Sequence, residues 1–305
     1  MSATDNPTTA ASISAGVRLR GAVLHAALRL QPRRVSAMLR VRNEEEFLAA
    51  AVRSIIDSVD EVVLVDNGST DATPKVIAAL RAEFPDRVVV YGYPYEIARV
   101  GSETAALAQS SAGRSRHLSG VYYTWCLRRC RQPYVLKWDA DMIATPALQR
   151  ALATWRRSHR PVLIMQGANV HPDRRHLAAA RCSDHRALLA QQRCPSVPAW
   201  ITTMAYDYPE PRLIPRWRAR YGHAAVFTQS PVSPFLDPRF APAWRERVPG
   251  AAFLHLKFCK REPYANYSDD LARVIAGNLT VGELLDGESQ QLLAQWGIGA
   301  AAACA

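Results

Sequence analysis

No uncharged apolar run in this 305-residue sequence reaches the roughly 18 residues that a membrane-spanning helix needs. Glycine (15) and proline (20) are too few and too unpatterned for a collagen-like or low-complexity chain. Six cysteines (Cys126, Cys130, Cys182, Cys194, Cys259, Cys304) are too sparse for a disulfide scaffold and read as reduced thiols of a cytoplasmic protein. Cys126 and Cys130 have no second cysteine pair or close histidine at zinc-site spacing. Acids are outnumbered by bases, 27 to 38, and the net charge of +11 favours anionic partners without choosing among them. The Arg residues are scattered rather than gathered in one recognition element, which disfavours nucleic acid. No internal repeat is evident. The composition, 49% hydrophobic and 21% charged, is that of a globular protein of one large domain or two small ones.

Residues 1–11 are small and polar. Ser12 to Arg34 fits a basic amphipathic helix with Val17, Leu24, Ala27 and Leu28 near one face. Arg18, Arg20 and Arg29 interrupt its apolar stretch, so it does not read as a signal peptide. Two readings stay open: peripheral docking on an anionic membrane at its inner face, or packing on the domain.

From Val35 the pattern becomes regular. Val35 to Val41 reads as a strand, and Asn43 is placed to cap a helix with Glu44, Glu45 and Glu46 in its first turn. Phe47, Leu48, Ala51, Val52, Ile55, Ile56 and Val59 form the buried stripe of that helix. Glu61 to Val65 is a β-branched run, followed by Asp66-Asn67-Gly68-Ser69-Thr70-Asp71 and a helix opened by Thr73-Pro74. Val88 to Tyr91 is the next strand. Strand, helix, strand, helix, strand with short links predicts a parallel sheet whose ligands sit outside the carboxyl ends of the strands. Leu118 to Cys130 fits a helix, and Tyr134 to Trp138 a buried strand ending in Asp139-Ala140-Asp141. Two carboxylates two apart at a strand end can converge on one hard cation, magnesium or manganese, which would also take substrate phosphates. Val162 to Gly167 is another strand. Asp207 to Pro215 is proline-rich and suits a loop or lid, and Ser268 to Gly297 reads as helices.

Val41-Arg42-Asn43-Glu44-Glu45, then Val65 to Asp71, then Trp138-Asp139-Ala140-Asp141 resemble, in order and spacing, the family-two glycosyltransferases of the GT-A fold. The resemblance spans residue 35 to about 167 and thins beyond. It implies a Rossmann-like α/β fold, a mostly parallel central sheet flanked by helices, with an irregular acceptor-side half. The expected organisation is a tail and basic helix (1–34), a nucleotide-sugar-binding half (35–167), an acceptor-side half (168–267) and a helical C-terminal tail (268–305). The resemblance further implies a nucleoside-diphosphate sugar donor, UDP as the first guess, and a Mn2+ or Mg2+ ion. Arg40, Val41, Arg42 and Asn43 would line the nucleoside. Asp66 and Asn67 would face the base and ribose, Asn67 standing where many members carry Asp. Asp139 would contact the ribose or the metal, Asp141 the metal, with His255 in Phe253 to Lys257 as a late third ligand and Lys257 on a donor phosphate. The acceptor would be a glycan or a lipid-linked molecule, as in polysaccharide biosynthesis.

An inverting transferase also needs a base to take the acceptor proton. The chain has Arg212-Leu213-Ile214-Pro215-Arg216 but no His-Glu pair after it. Asp207, Glu210 and Asp237 are the remaining candidates, Asp207 first and Glu210 second. Two other functions fit parts of the pattern. A sugar nucleotidyltransferase would usually carry a glycine-rich phosphate loop after the first strand, and Val35 to Glu46 has no glycine. A non-catalytic binder of nucleic acid or sugar is supported by the net charge alone.

Overall fold

The computed structural model describes residues 31–98, 102–180, 210–216, 220–221, 231–232, 245–261 and 274–280, with residues 23, 26, 27 and 30 before them. Its core is a seven-stranded sheet. Strands β1 (Val35–Val41), β2 (Glu61–Asp66), β3 (Val88–Gly92) and β4 (Tyr134–Asp139) run parallel in the spatial order β4-β1-β2-β3. They are the continuous apolar runs of the sequence, and β1, β2 and β4 are buried along nearly their whole length, as a sheet covered on both faces requires.

The connections are helices. Helix α1 (Leu48–Ile55) runs on through a 3-10 turn, Ile56–Ser58, and buries Leu48, Ala51, Val52 and Ile55. Helix α2 (Thr73–Glu83) opens with Pro74, and the Asp71 carboxylate accepts the Thr73 N–H at 2.9 Å. Helices α3 (Ser102–Ser110) and α4 (Ser119–Arg129) lead to β4. Buried Tyr122 and Cys126 of α4 pack on the face of the sheet formed by Met38, Val63 and Val65. After the short strand β5 (Met142–Ala144), α5 (Pro146–Trp155) covers the other face, where Trp155 meets Tyr134 edge to face.

The far side of the sheet departs from the sequence expectation. Strand β6 (Val162–Met165) does not neighbour β4; β9 (Glu210–Pro215) lies between them, antiparallel to both. The segment read as a loop or lid therefore places Glu210–Pro215 inside the central sheet. Burial decides it: Leu213 and Ile214 are fully enclosed between β4 and β6. The prolines are tolerated because Pro211 lies at a register shift against β6 and Pro215 ends the strand. The short strands β10 (Arg220–Tyr221) and β11 (Pro231–Val232) pair antiparallel with each other, and β12 (Arg245–Arg247) closes the edge of the central sheet, parallel to β6.

A second sheet of three strands sits beyond the carboxyl rim: β5, β13 (Phe253–His255) and β7 (Gly167–Asn169), with β13 in the middle. Strand β8 (His176–Ala180) pairs antiparallel with β14 (Val274–Thr280). Helix was expected at 274–280; the chain there forms a strand, its β-branched Val274 and Ile275 paired with Ala180 and Ala179. No helix among the described residues is long and apolar enough to cross a membrane. Most of the 1–34 segment, Asp207, Asp237 and the rest of the predicted C-terminal helices lie outside the described residues.

Candidate active site at the carboxyl rim of the sheet

Register brings the motifs together. Across β1 and β2, Val41 stands opposite Asp66; across β1 and β4, Arg40 stands opposite Asp139. The antiparallel β9 contributes its amino end to the same rim, where Arg212 reaches Asp139.

The loop after β1 is held by its own polar side chains. Asn43 does not cap α1; its backbone is left-handed, φ 55°, and the helix starts five residues later at Leu48. The Asn43 N–H donates to Ser69 Oγ at 2.9 Å, and its side-chain oxygen accepts the Thr70 N–H at 2.8 Å. Asn tolerates this backbone better than most residues because its short polar side chain can bond locally. The neighbouring acids do similar work. Glu44 N–H donates to Thr73 Oγ1, and Glu45 accepts the Ala72 N–H. Asp66 folds its own turn, accepting from both the N–H and the hydroxyl of Ser69, with Gly68 supplying φ 71°. Asn67 is buried and donates its amide to the carbonyls of Tyr93 (3.3 Å) and Tyr95 (2.8 Å), which ties down the chain after β3. Arg42 is half-exposed and 3.5 Å from Glu96.

Asp139 and Asp141 are both in place, with different company. Asp139 is gripped by two guanidinium groups, Arg40 at 2.5 Å on one oxygen and Arg212 at 3.2 Å on the other. Each arginine is itself positioned by a ring: Arg40 stacks 3.8 Å over Tyr123, and Arg212 4.7 Å over Phe253. Burial alone would raise the Asp139 pKa, but the charges of Lys137, Arg40, Arg212 and His255 outweigh it and hold the carboxyl well below its usual range. Asp141 faces His255 Nε2 at 3.3 Å through one oxygen and Lys260 Nζ at 2.9 Å through the other. Burial again raises and these two partners lower, with the second effect winning. His255 is brought there by β13, whose register sets it opposite Met142, and the Leu256 N–H donates to the Asp141 carbonyl.

A divalent ion with bonds of ~2.1 Å holds neighbouring ligands about 3 Å apart. The 3.3 Å between Asp141 and His255 meets that spacing, so this oxygen and this imidazole nitrogen suit one cation. Asp139 suits it less, because both its oxygens are engaged by arginine. Among the described residues no set of three His, Cys, Asp or Glu forms a ready metal cage. Lys257, expected at a phosphate, has its ammonium 5.1 Å from the Phe258 ring centre; Lys260 is the lysine that faces the acidic pair. Glu210 begins β9 on the rim, opposite Met165. A groove of about 640 Å³ between α2 and β3 touches the rim at Asp66, and none of Asp139, Asp141 and His255 lines it.

Four site residues were not assigned from sequence: Lys137, Arg212, Glu44 and Lys260. Lys137 carried a signal, a lone charge inside an apolar strand that becomes buried, whereas Arg212 sat in a segment that read as a loop. Lys260 carried none, because its partners are distant in the chain.

Residues 36–93 match the family described as Glycosyl transferase family 2. No curated protein matches the chain. Among solved structures, the chain is similar to S. aureus TarS 1-349 at 20% identity, covering 45% of this chain and 36% of that one, with a TM-score of 0.33. It is similar to the mannosyltransferase PcManGT from Pyrobaculum calidifontis in complex with GDP-Man and Mn2+ at 20% identity, covering 50% and 44%, TM-score 0.29. It is also similar to glucosyl-3-phosphoglycerate synthase from Mycobacterium tuberculosis in complex with phosphoglyceric acid at 21% identity, covering 64% and 61%, TM-score 0.30. The chain thus spans between 36% and 61% of the length of these structures. The matched segment holds both the Asn43 loop and the Asp66 turn, with the strands that set them side by side, and in that segment the chain is similar to glycosyl transferase family 2.

Proposed function

We propose that the protein is a metal-dependent glycosyltransferase that moves a sugar from a nucleoside-diphosphate donor, UDP first, to a glycan or lipid-linked acceptor with inversion. One observation carries the reading: the ends of β1, β2 and β4 lie in register, so that Arg40, Asp66 and Asp139 share a rim with the Asp141–His255 pair. Asp141 and His255 would hold the metal ion, which when bound neutralises the diphosphate. Arg40 and Arg212 line the same rim as fixed positive charges; preorganised cations of this kind cost little reorganisation when negative charge develops on a leaving group. The acceptor oxygen bonds to the anomeric carbon as the bond to the diphosphate oxygen breaks with its electron pair, and the acceptor proton passes to a carboxylate. Asp207 remains the first candidate for that base and Glu210 the second. Glu210 begins β9 at the rim, two residues before Arg212.

Exposed Val23 and Leu30 in the helical residues before β1 support docking of that segment on an anionic membrane surface. Liposome pelleting after deletion of residues 1–34 checks this, with unchanged pelleting against it.

A thermal-shift panel of nucleotide sugars with and without Mn2+ tests the main reading. Stabilisation by one diphosphate sugar, dependent on metal and lost in Asp141→Ala, is the expected result. Full transfer activity of Asp141→Ala in metal-replete buffer would refute the metal assignment.

A further inference from the structure

Lys260 is a buried cation that the family-two motifs do not account for. Its side chain is 8% exposed and its ammonium bridges two carboxylates that are each 7% exposed, Glu44 at 2.7 Å and Asp141 at 2.9 Å. Glu44 belongs to the loop after β1, and Asp141 follows β4. Without a positive charge between them, two buried carboxylates would face each other, a costly arrangement. The oxygen of Asp141 that Lys260 leaves open is the one facing His255. The ammonium therefore sits beside the very pair of donors that suits a divalent ion.

The backbone around Lys260 is fixed on both sides. The Cys259 N–H donates to the Leu256 carbonyl, and the Arg261 N–H donates to Glu46 Oε1 at 2.8 Å. The lysine side chain is a flexible four-carbon stem carrying a point charge. It can leave Asp141 by rotating its own bonds, with no movement of the turn that carries it.

We propose that Lys260 is a built-in counter-cation, holding the cation position between Glu44 and Asp141 and yielding it to a divalent metal. This rests on the metal-dependent reading above. The ammonium and the metal compete for Asp141, so the site stays electrically balanced before metal arrives. The protein should then bind metal more weakly than its own carboxylates would allow.

Titration of the full chain with Mn2+, read by the loss of the free-ion paramagnetic resonance signal, tests this without reference to turnover. Lys260→Met should bind Mn2+ at least roughly tenfold more tightly than the parent, because a unit charge close to the ion is gone. Lys260→Arg, which keeps the charge, should not show the gain. If Lys260→Met fails to fold, Glu44→Gln/Lys260→Met removes one carboxylate together with the ammonium and should show the same direction. Equal or weaker Mn2+ binding in the folded Lys260→Met and double variants overturns the exchange while leaving the metal reading intact. Absence of Mn2+ binding in parent and variants alike, with and without UDP, overturns both.

Discussion

Arg40 and Asp139 stand opposite each other in the β1–β4 register and meet through a 2.5 Å ion pair, with the guanidinium stacked on Tyr123. Arg40→Met should therefore strip one oxygen of Asp139 of its partner while Arg212 keeps the other. Breaking such a buried pair costs on the order of 3 kcal/mol. Urea unfolding checks it, and Arg40→Met/Asp139→Asn should recover part of the loss. An Arg40→Met variant as stable as the parent would show that Arg212 alone suffices.

Asn67 is a donor to two backbone carbonyls, so Asn67→Asp sets an acceptor against acceptors. About 2 kcal/mol of stability should go. The new carboxyl would have its pKa raised in the folded state. The sign follows: the penalty is smallest at acidic pH, where the protonated acid can donate one bond, and grows as pH rises. Thermal melts of parent and variant from pH 4 to 7 read this directly, and a penalty independent of pH would count against the bonding described.

Gly167 leaves no room for a side chain, because a Cβ there would lie 2.0 Å from a ring carbon of Phe253. Phe253 is fully buried against Trp138 and supports Arg212. Gly167→Ala should cost about 1–3 kcal/mol by overpacking. It should also weaken Mn2+ binding, since His255 rides on the same short strand. Wild-type affinity in a folded Gly167→Ala would separate the two strands' roles.

Burial pushes the thiols of Cys126 and Cys259 up to about 12, and that of Cys130 up as well. In a Cys182→Ser/Cys194→Ser/Cys304→Ser background, these three should resist iodoacetamide at pH 8 until the chain is unfolded. The linkage sign is fixed too. Stability is full below the unfolded thiol pKa of about 8.5 and falls as pH rises beyond it, because the unfolded chain loses those protons first. Rapid native-state alkylation would contradict the burial.

Much of this was legible in sequence. The apolar runs gave β1 to β4 nearly to the residue, since strands covered on both faces leave an unbroken hydrophobic signal. Pro74 and the stripe from Phe47 to Val59 marked the helices. Asp66, Asp139 and Asp141 were placed on the rim by the simple fact that they follow strands. Strand β9 was not legible, because its prolines look like a loop and only its tertiary neighbours make Leu213 and Ile214 a core. Asn43 was expected to cap a helix and instead latches two loops together, a choice made by Thr70, which is remote in the chain. Lys260 and Glu44 are 216 residues apart, beyond any local pattern.

Strand β9 also orders events during synthesis. Strand β4 leaves the ribosome roughly 4–15 s before Glu210–Pro215 can join it, at 5–20 residues per second. Until then β4, and β6 once it has been made, each present an unpaired hydrophobic edge, the kind of surface on which nascent chains associate. Strand β9 fills that gap, so truncations that end before residue 215 should yield insoluble protein rather than a smaller folded unit.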